Sequence, residues 1–94
     1  MWQTYILKCA DGTLYVGSTN DLKRRILEHN QGKGAKYTRS RRPVTLVYCE
    51  ESISQSAAFK REAEIKKWSR AKKLEFLRCS PDNPHSGFFS GLSQ

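Results

Sequence analysis

The chain has no hydrophobic run long enough to span a membrane and no segment typical of a signal peptide. Its first residues (MWQT) lack the basic region and the apolar stretch that such a peptide contains. Cysteine is scarce: Cys9, Cys49 and Cys79 are odd in number, widely spaced and without a Cys-x-x-Cys pair. We therefore expect a cytoplasmic protein with reduced thiols, without a zinc site, a disulfide framework or a membrane partner.

Acidic residues are also few, and positive charge dominates. Lys and Arg total 17 against 9 Asp and Glu, which gives a formal net charge of +8. A field of this sign attracts polyanions over long distances and speeds their encounter. Nucleic acid is the first candidate partner, although charge alone describes a generic basic surface equally well.

The length of 94 residues supports one domain and is too short for two. The last stretch (SPDNPHSGFFSGLSQ) is rich in Pro, Gly and Ser. We predict a folded domain over residues 1–79 and a flexible C-terminal tail over residues 80–94. The alternative is that the tail docks on the body or on a partner through its large apolar residues, which are Phe88, Phe89 and Leu92.

The pattern of apolar residues predicts a small α/β sandwich (α+β) with the element order β-β-α-β-α-α. It is a three-stranded, mainly antiparallel sheet flanked by three helices. The strands are expected at residues 2–9, 13–18 and 44–49. The helices are expected from a cap at Asn20 or Asp21 to about Asn30, from a cap at Ser54 or Ser56 to about Trp68, and over residues 70–78.

The turn around Gly12 decides which residues of the first two strands share a face. A two-residue Asp-Gly loop would place Tyr5 and Tyr15 on opposite faces of the hairpin. A three-residue loop with a left-handed Gly12 pairs Leu7 with Tyr15 and Tyr5 with Gly17. We favour the second register, which puts both tyrosines on one face.

Two polar residues project from the apolar side of the first helix. At about 100° per residue, Arg25 and His29 fall on the same arc as Leu22 and Ile26. A guanidinium and an imidazole one turn apart can both address one anion. The alternative, which is commoner for such a pair taken alone, is an Arg that snorkels to solvent and a His that is hydrogen-bonded in the core.

A carboxylate occupies a comparable position on the second helix, where Glu62 projects between Ala58 and Phe59. A carboxylate within an apolar arc is costly unless it is paired or holds a cation. Glu62 therefore forms either a structural ion pair, for example with Arg25, or a ligand for a hard divalent metal.

The segment between the first helix and the third strand is a basic loop around Tyr37. Basic residues around an aromatic ring suit a phosphate backbone and a stacked base, and a solvated loop is the alternative. The candidate nucleic-acid-binding residues are Lys33, Lys36, Arg39, Arg41 and Arg42.

The order of these residues resembles the GIY-YIG nuclease family over residues 2–77. Tyr5-Ile6-Leu7 and Tyr15-Val16-Gly17 are similar to the two halves of the family motif, and Arg25, His29 and Glu62 follow at similar positions. The block GKGAKYTRSRRPVTLVY is similar to the small, stand-alone bacterial members. One departure is that Thr4 stands where the first half of the motif has its Gly.

The resemblance implies an endonuclease that hydrolyses DNA phosphodiester bonds with one Mg²⁺ or Mn²⁺ ion and acts in DNA repair or processing. Glu62 would hold the metal, Arg25 would steady the scissile phosphate, and His29 would share the proton transfer or position the nucleophile. Either Tyr5 or Tyr15 would activate the attacking water, and Tyr37 is a possible further phenol of the site. We assume a monomer.

The rival interpretation is a nucleic-acid-binding module that keeps this fold but has little or no catalytic activity of its own. The missing targeting domain favours that rival, and the complete set of five residues favours the enzyme. The choice between DNA and RNA, the preferred DNA structure and the identity of the base stay open at this stage.

Overall fold

The computed structural model describes residues 1–78 and contains the predicted elements with one addition. The strands are β1 (Trp2–Lys8), β2 (Leu14–Thr19) and β3 (Thr45–Ser52). The helices are α1 (Leu22–Asn30), α2 (Lys36–Arg39), α3 (Gln55–Lys66) and α4 (Arg70–Arg78). The α+β fold is confirmed, and α2 is an additional single turn inside the basic loop.

Two predictions concern residues that the structure does not describe. The proposed tail of residues 80–94, with Phe88, Phe89 and Leu92, lies outside the described residues, as does Cys79. Within residues 1–78, no helix combines the length and the apolar character needed to cross a membrane.

The sheet has the order β2-β1-β3, and β1 pairs antiparallel with both neighbours. The central strand is covered on both faces, so consecutive residues of β1 are buried. Tyr5 and Leu7 pack with Ile26 of α1, whereas Ile6 packs with Ile65 of α3. Helices α1 and α3 thus cover opposite faces of the sheet, and β2 is an edge strand.

The hairpin has the predicted three-residue loop. Gly12 has φ +87°, a left-handed conformation that glycine adopts without steric cost. Tyr5 pairs with Gly17 and Leu7 pairs with Tyr15. The prediction that Tyr5 and Tyr15 share a face is confirmed, and their ring centroids are 6.4 Å apart.

Side-chain caps fix the start of α1, which bears Arg25 and His29, and of α3, which bears Glu62. Asp21 accepts a hydrogen bond from the backbone N–H of Arg24 at 3.2 Å, and Ser54 accepts one from Ala57 at 3.1 Å. Such a cap stabilises a helix by about 1 kcal/mol. Of the alternatives left open by the sequence, Asp21 and Ser54 are therefore the caps.

The inward face of α3 differs from the expected one. Ala58 and Ile65 are fully buried, but Phe59, expected on the apolar arc, is 48% exposed. The hydroxyls of Thr4 and Ser18 donate to the carbonyl of Ala58 at 3.0 and 3.2 Å. These bonds draw the helix backbone close to the sheet at Ala58, where only a small side chain fits, and they turn Phe59 outward.

Strand β3 extends to Ser52 instead of ending at Cys49, because its polar end is paired. Glu50 accepts hydrogen bonds from Tyr48 at 2.8 Å and from Arg61 at 3.1 Å. A charged residue is tolerated there because β3 is an edge strand and its carboxylate has partners.

Candidate active site

The five predicted residues come from four elements. Tyr5 lies on β1, Tyr15 on β2, Arg25 and His29 on α1, and Glu62 on α3. Tyr15, Arg25 and His29 contact Tyr5, whereas Glu62 acts on Tyr5 only through its charge.

Tyr5 and His29 form a buried pair. The Tyr5 hydroxyl lies 3.0 Å from Nε2 of His29, and both side chains are essentially inaccessible to solvent. The ring of Tyr15 lies 5.2 Å from that of His29, edge to face. Gly17 leaves the necessary space, because a Cβ there would be 2.5 Å from the Tyr5 hydroxyl oxygen.

Thr38 of α2 fixes the proton on the His29 ring. Its hydroxyl donates to the carbonyl of Ala35 at 3.0 Å, so its oxygen accepts from Nδ1 of His29 at 2.8 Å. The Ala35 N–H also approaches Nδ1, but at 3.5 Å, and the shorter contact decides the tautomer. Nε2 is then unprotonated, and the Tyr5 hydroxyl donates a hydrogen bond to it.

Burial keeps both members of the Tyr5–His29 pair neutral. Burial raises the pKa of Tyr5 to about 12, although the neighbouring Arg25 opposes the change. Burial, followed by the positive charge of Arg25, lowers the pKa of His29 to about 4. At neutral pH the pair therefore consists of a phenol and an uncharged imidazole that accepts its hydrogen bond.

Arg25 is held by a carboxylate of its own helix. Its Nη1 lies 3.2 Å from Oε1 of Glu28, and a third of its side chain (33%) is exposed. Burial lowers its pKa, but hydrogen bonds to Tyr5 and Glu28 outweigh burial and raise the pKa above the ordinary value. The suggested ion pair between Arg25 and Glu62 does not form, because each has another partner.

Glu62 pairs with Lys66 one turn further along α3. Their oxygen and nitrogen atoms are 2.6 Å apart, and the Glu62 side chain is 21% exposed. Lys66 Nζ also lies 6.0 Å from the ring centroid of Tyr15. Burial is the main cause of the raised pKa of Tyr5, and the negative charge of Glu62 adds a smaller increase.

The donor set around Glu62 suits a metal that takes most of its ligands from elsewhere. Residues 1–78 contain no group of three or more His, Cys, Asp or Glu side chains that could hold a metal. Mg²⁺ is commonly bound through one or two carboxylates, with water and substrate phosphates filling its other positions. The single Glu62 carboxylate therefore fits Mg²⁺ or Mn²⁺ only in that mode.

Tyr37 stacks on the cluster from the basic loop. Its ring lies 5.9 Å from that of Tyr15 with an interplanar angle of 29°, and the guanidinium of Arg41 covers it at 4.1 Å. Arg41 also donates to Asp11 at 3.0 Å and to the carbonyl of Tyr37 at 2.8 Å. Tyr37 thus joins the predicted site, whereas Arg41 is engaged in holding the loop.

Of the other four basic residues of the loop, one is bound to the backbone and three have exposed side chains without a partner among residues 1–78. Arg42 donates to the backbone carbonyl of Arg39 at 2.9 Å and packs beside Gly32. The side chains of Lys33, Lys36 and Arg39 are exposed, and no residue within 1–78 forms a hydrogen bond or an ion pair with them. These three are the cations of the loop that a phosphate backbone can reach.

Sequence reasoning missed three residues that shape this site. Glu28 orients Arg25, and Thr38 fixes the tautomer of His29. Gly34 makes room for the imidazole, since a Cβ there would lie 2.3 Å from Nδ1 of His29. The spacing of three residues between Arg25 and Glu28 was an available signal for the first.

The chain is similar to other small proteins over most of its own length and most of theirs. The UPF0213 protein of Syntrophus aciditrophicus is 56% identical over 79 residues, which cover 83% of this chain and 91% of that protein. The UPF0213 protein of Bacillus pumilus is 50% identical over 84 residues, 86% of each chain. The solution NMR structure of the UPF0213 protein BH0048 from Bacillus halodurans matches with a TM-score of 0.57 at 42% identity and covers 92% of each chain.

The family assignment rests on the match of the chain to a family model. The family described as "GIY-YIG catalytic domain" matches residues 1–75, which is nearly all of the described chain. The resemblance seen in the motifs around Tyr5 and Tyr15 is confirmed by this match. The chain belongs to the GIY-YIG family.

Proposed function

We propose that the chain is a metal-dependent endonuclease that hydrolyses DNA phosphodiester bonds. The observation that carries this proposal is the cluster of a guanidinium, two phenols and an imidazole, whose buried phenol also senses the charge of the Glu62 carboxylate. Phosphodiester hydrolysis requires charge stabilisation, an oriented water and a partner for its proton. The net charge of +8 favours the approach of DNA.

Arg25 is assigned to the scissile phosphate. Its planar guanidinium offers five N–H donors, and Glu28 engages Nη1, so donors remain for phosphate oxygens. The Glu28 contact also limits the rotamers of Arg25, which reduces the entropy that is lost when the phosphate binds. The raised pKa keeps the guanidinium charged throughout.

Glu62 is assigned to the metal ion. Its carboxylate would hold Mg²⁺ or Mn²⁺ once Lys66 has moved to another anion, for which a DNA phosphate is available. When bound, the ion supplies positive charge that stabilises the transition state at the phosphate.

Tyr15 is assigned to the attacking water, and Tyr5 supports it. Tyr5 is fully buried, has a pKa of about 12 and donates a hydrogen bond to His29. It therefore cannot reach the attacking water or accept a proton from it. Tyr15 is only half-buried and can contact a water beside the phosphate. Tyr15 would orient this water and accept its proton after its own phenolic proton has passed to solvent, while the Tyr5–His29 pair holds the Tyr15 ring in place.

The test is cleavage of labelled single-stranded, duplex, flap and branched DNA, and of RNA, in Mg²⁺ or Mn²⁺. Glu62→Gln is compared with Glu64→Gln, a matched change on the same helix at a residue that pairs with Arg61. We expect metal-dependent cutting of DNA that is lost in Glu62→Gln and kept in Glu64→Gln. Cutting that survives Glu62→Gln would contradict the assignment of the metal to this carboxylate.

One observation favours the rival function, a binding module without turnover. Lys66 neutralises Glu62 at 2.6 Å, as a purely structural ion pair would. If all substrates were bound with salt-sensitive affinity and none were cut in either metal, the binding module would replace the nuclease.

A further inference from the structure

A cavity of about 300 Å³ opens beside Arg25, where the end of β2 meets the start of α1. Its aromatic walls are Trp2 and Phe59, whose ring centroids are 5.5 Å apart in an edge-to-face arrangement. Arg24, Glu28 and the helix cap Asp21 are among the polar residues that line the side next to Arg25. The mechanism proposed above uses Arg25 and its partner Glu28, and the aromatic walls have no role in it.

Phe59 is unusually placed for a large apolar side chain. It is 48% exposed, whereas the smaller Ala58 next to it and Ile65 later in α3 are fully buried. It precedes Glu62 by three residues, so the two side chains lie on neighbouring positions of one helix face. Phe59 also lines a second depression, together with Lys60 and Ala63. The ring therefore borders two open spaces one helical turn before the proposed metal ligand.

The chemistry of the cavity fits a flat heterocycle joined to a phosphate. Aromatic rings bind nucleobases by stacking, a contact that every base can make. The guanidinium groups of Arg24 and Arg25, held by Glu28 at 3.4 and 3.2 Å, place positive charge at the rim. Because Arg25 is the residue assigned to the scissile phosphate, a base in this cavity belongs to a nucleotide next to the cut.

We infer that the cavity beside the Trp2–Phe59 ring pair binds an unpaired nucleobase adjacent to the scissile phosphate, an inference that rests on the proposed nuclease function. A paired base in a duplex is stacked on its neighbours and cannot enter such a cavity unless it is turned out of the helix. The substrate class is then DNA that is single-stranded, or locally unpaired, at the point of cleavage. The aromatic walls are sequence-tolerant, so any of the four bases is accepted.

The test measures DNA binding in EDTA, so that it does not depend on cleavage. The probes are a labelled single-stranded oligonucleotide of about 12 nucleotides, the same strand with single abasic sites, and its duplex. Phe59→Ala is compared with Ile53→Ala, which removes a side chain that is 97% exposed and outside the cavity. Phe59→Tyr serves as the conservative variant that keeps the ring.

We expect Phe59→Ala to bind the single strand about 5- to 150-fold more weakly, as loss of one stacked base predicts, and Ile53→Ala and Phe59→Tyr to bind like the parent. An abasic site at one position should weaken the parent by a similar factor and leave Phe59→Ala unaffected. The parent should bind the single strand more tightly than the duplex.

Unchanged affinity in Phe59→Ala, or equal sensitivity of parent and Phe59→Ala to every abasic position, would overturn the inference. Preferential binding of the intact duplex would do so too. Since Phe59 is half-exposed, matching thermal melts check that its variants fold. If Glu62→Gln were to keep cutting while the binding results held, the metal assignment would fail and the base site would stand.

Discussion

At the scale of single residues, His29 has both ring nitrogens engaged, Nδ1 with Thr38 and Nε2 with Tyr5. A proton can join this ring only by disrupting a bond, and burial also disfavours the charge. The pKa of about 4 lies below the ordinary 6.5, so the unfolded chain takes up the proton at higher pH than the folded one.

The folded state therefore loses stability as the pH falls from about 6.5 toward 4, and the contribution of His29 is fully present above that window. We expect the loss to be about 1–3 kcal/mol in the free energy of unfolding. Urea unfolding at a series of pH values measures it, with His29→Gln as the comparison. A parent and a variant with parallel pH profiles would contradict the prediction.

Thr38 is a positioning residue, and its effect on His29 can be separated from its packing. Thr38→Val keeps the shape but removes the oxygen that accepts from Nδ1, so we expect the Nε2–H tautomer to gain population and Tyr5 to lose its acceptor. We expect cleavage to fall about tenfold or more. Thr38→Ser should retain both activity and tautomer. The ¹⁵N shifts of the His29 ring report the tautomer directly, and an unchanged ring in Thr38→Val would refute the role.

The sequence predicts side chains whose neighbours are local and misses those set by tertiary contacts. Helical spacing was enough to place Arg25 and His29 on the buried side of α1. The partner of His29 beyond Tyr5 is Thr38, which reaches the ring only because the chain folds back through Gly34 and α2. No periodic pattern in the sequence carries that information.

At the scale of the elements, the hairpin depends on Gly17 for the space in which the Tyr5 hydroxyl sits. A Cβ at this position would lie 2.5 Å from the hydroxyl oxygen and 3.2 Å from the Tyr15 ring. We expect Gly17→Ala to displace Tyr5 from His29 and to reduce cleavage by more than its loss of stability explains.

The matched control for Gly17→Ala is Gly12→Ala in the same hairpin. Gly12 has φ +87° with no atom near its side-chain position, so its substitution strains the backbone without touching the site. We expect it to lower the free energy of unfolding by about 1 kcal/mol and to leave the cleavage rate of the folded protein unchanged. Equal loss of activity in both variants would show that the hairpin acts only through stability.

Elements were predictable where one residue type decides the local geometry. Gly12 fixed the hairpin loop, and the sequence limited the cap of α3 to Ser54 or Ser56, of which Ser54 is the cap. The orientation of α3 was not predictable, because it depends on hydrogen bonds from Thr4 and Ser18 to the carbonyl of Ala58. Helix α2 was missed because it spans a single turn and its cap residue makes no side-chain hydrogen bond.

At the scale of the whole molecule, the net charge is +8, and part of the positive charge lies on exposed side chains of the basic loop. Lys36 and Arg39 are exposed and have no side-chain partner within residues 1–78. We expect Lys36→Gln and Arg39→Gln each to reduce the slope of log affinity against log salt by about 0.7 on single-stranded DNA. Lys23→Gln, on the outer face of α1, should leave the slope unchanged. Salt titrations of binding measure these slopes, and equal slopes for all variants would place the DNA elsewhere.

We infer that Tyr15, Arg25, His29 and Glu62 act as one catalytic unit. Residues that act as a unit have effects that do not multiply when they are removed together. The decisive measurement is the single-turnover cleavage rate of Tyr15→Phe, Glu62→Gln and the double variant, each saturating the same DNA. We expect each single change to lower the cleavage rate by about 100-fold or more. We expect the double variant to be no slower than the slower of the two single variants. Losses that multiply in the double variant, or a full rate in either single variant, would contradict it.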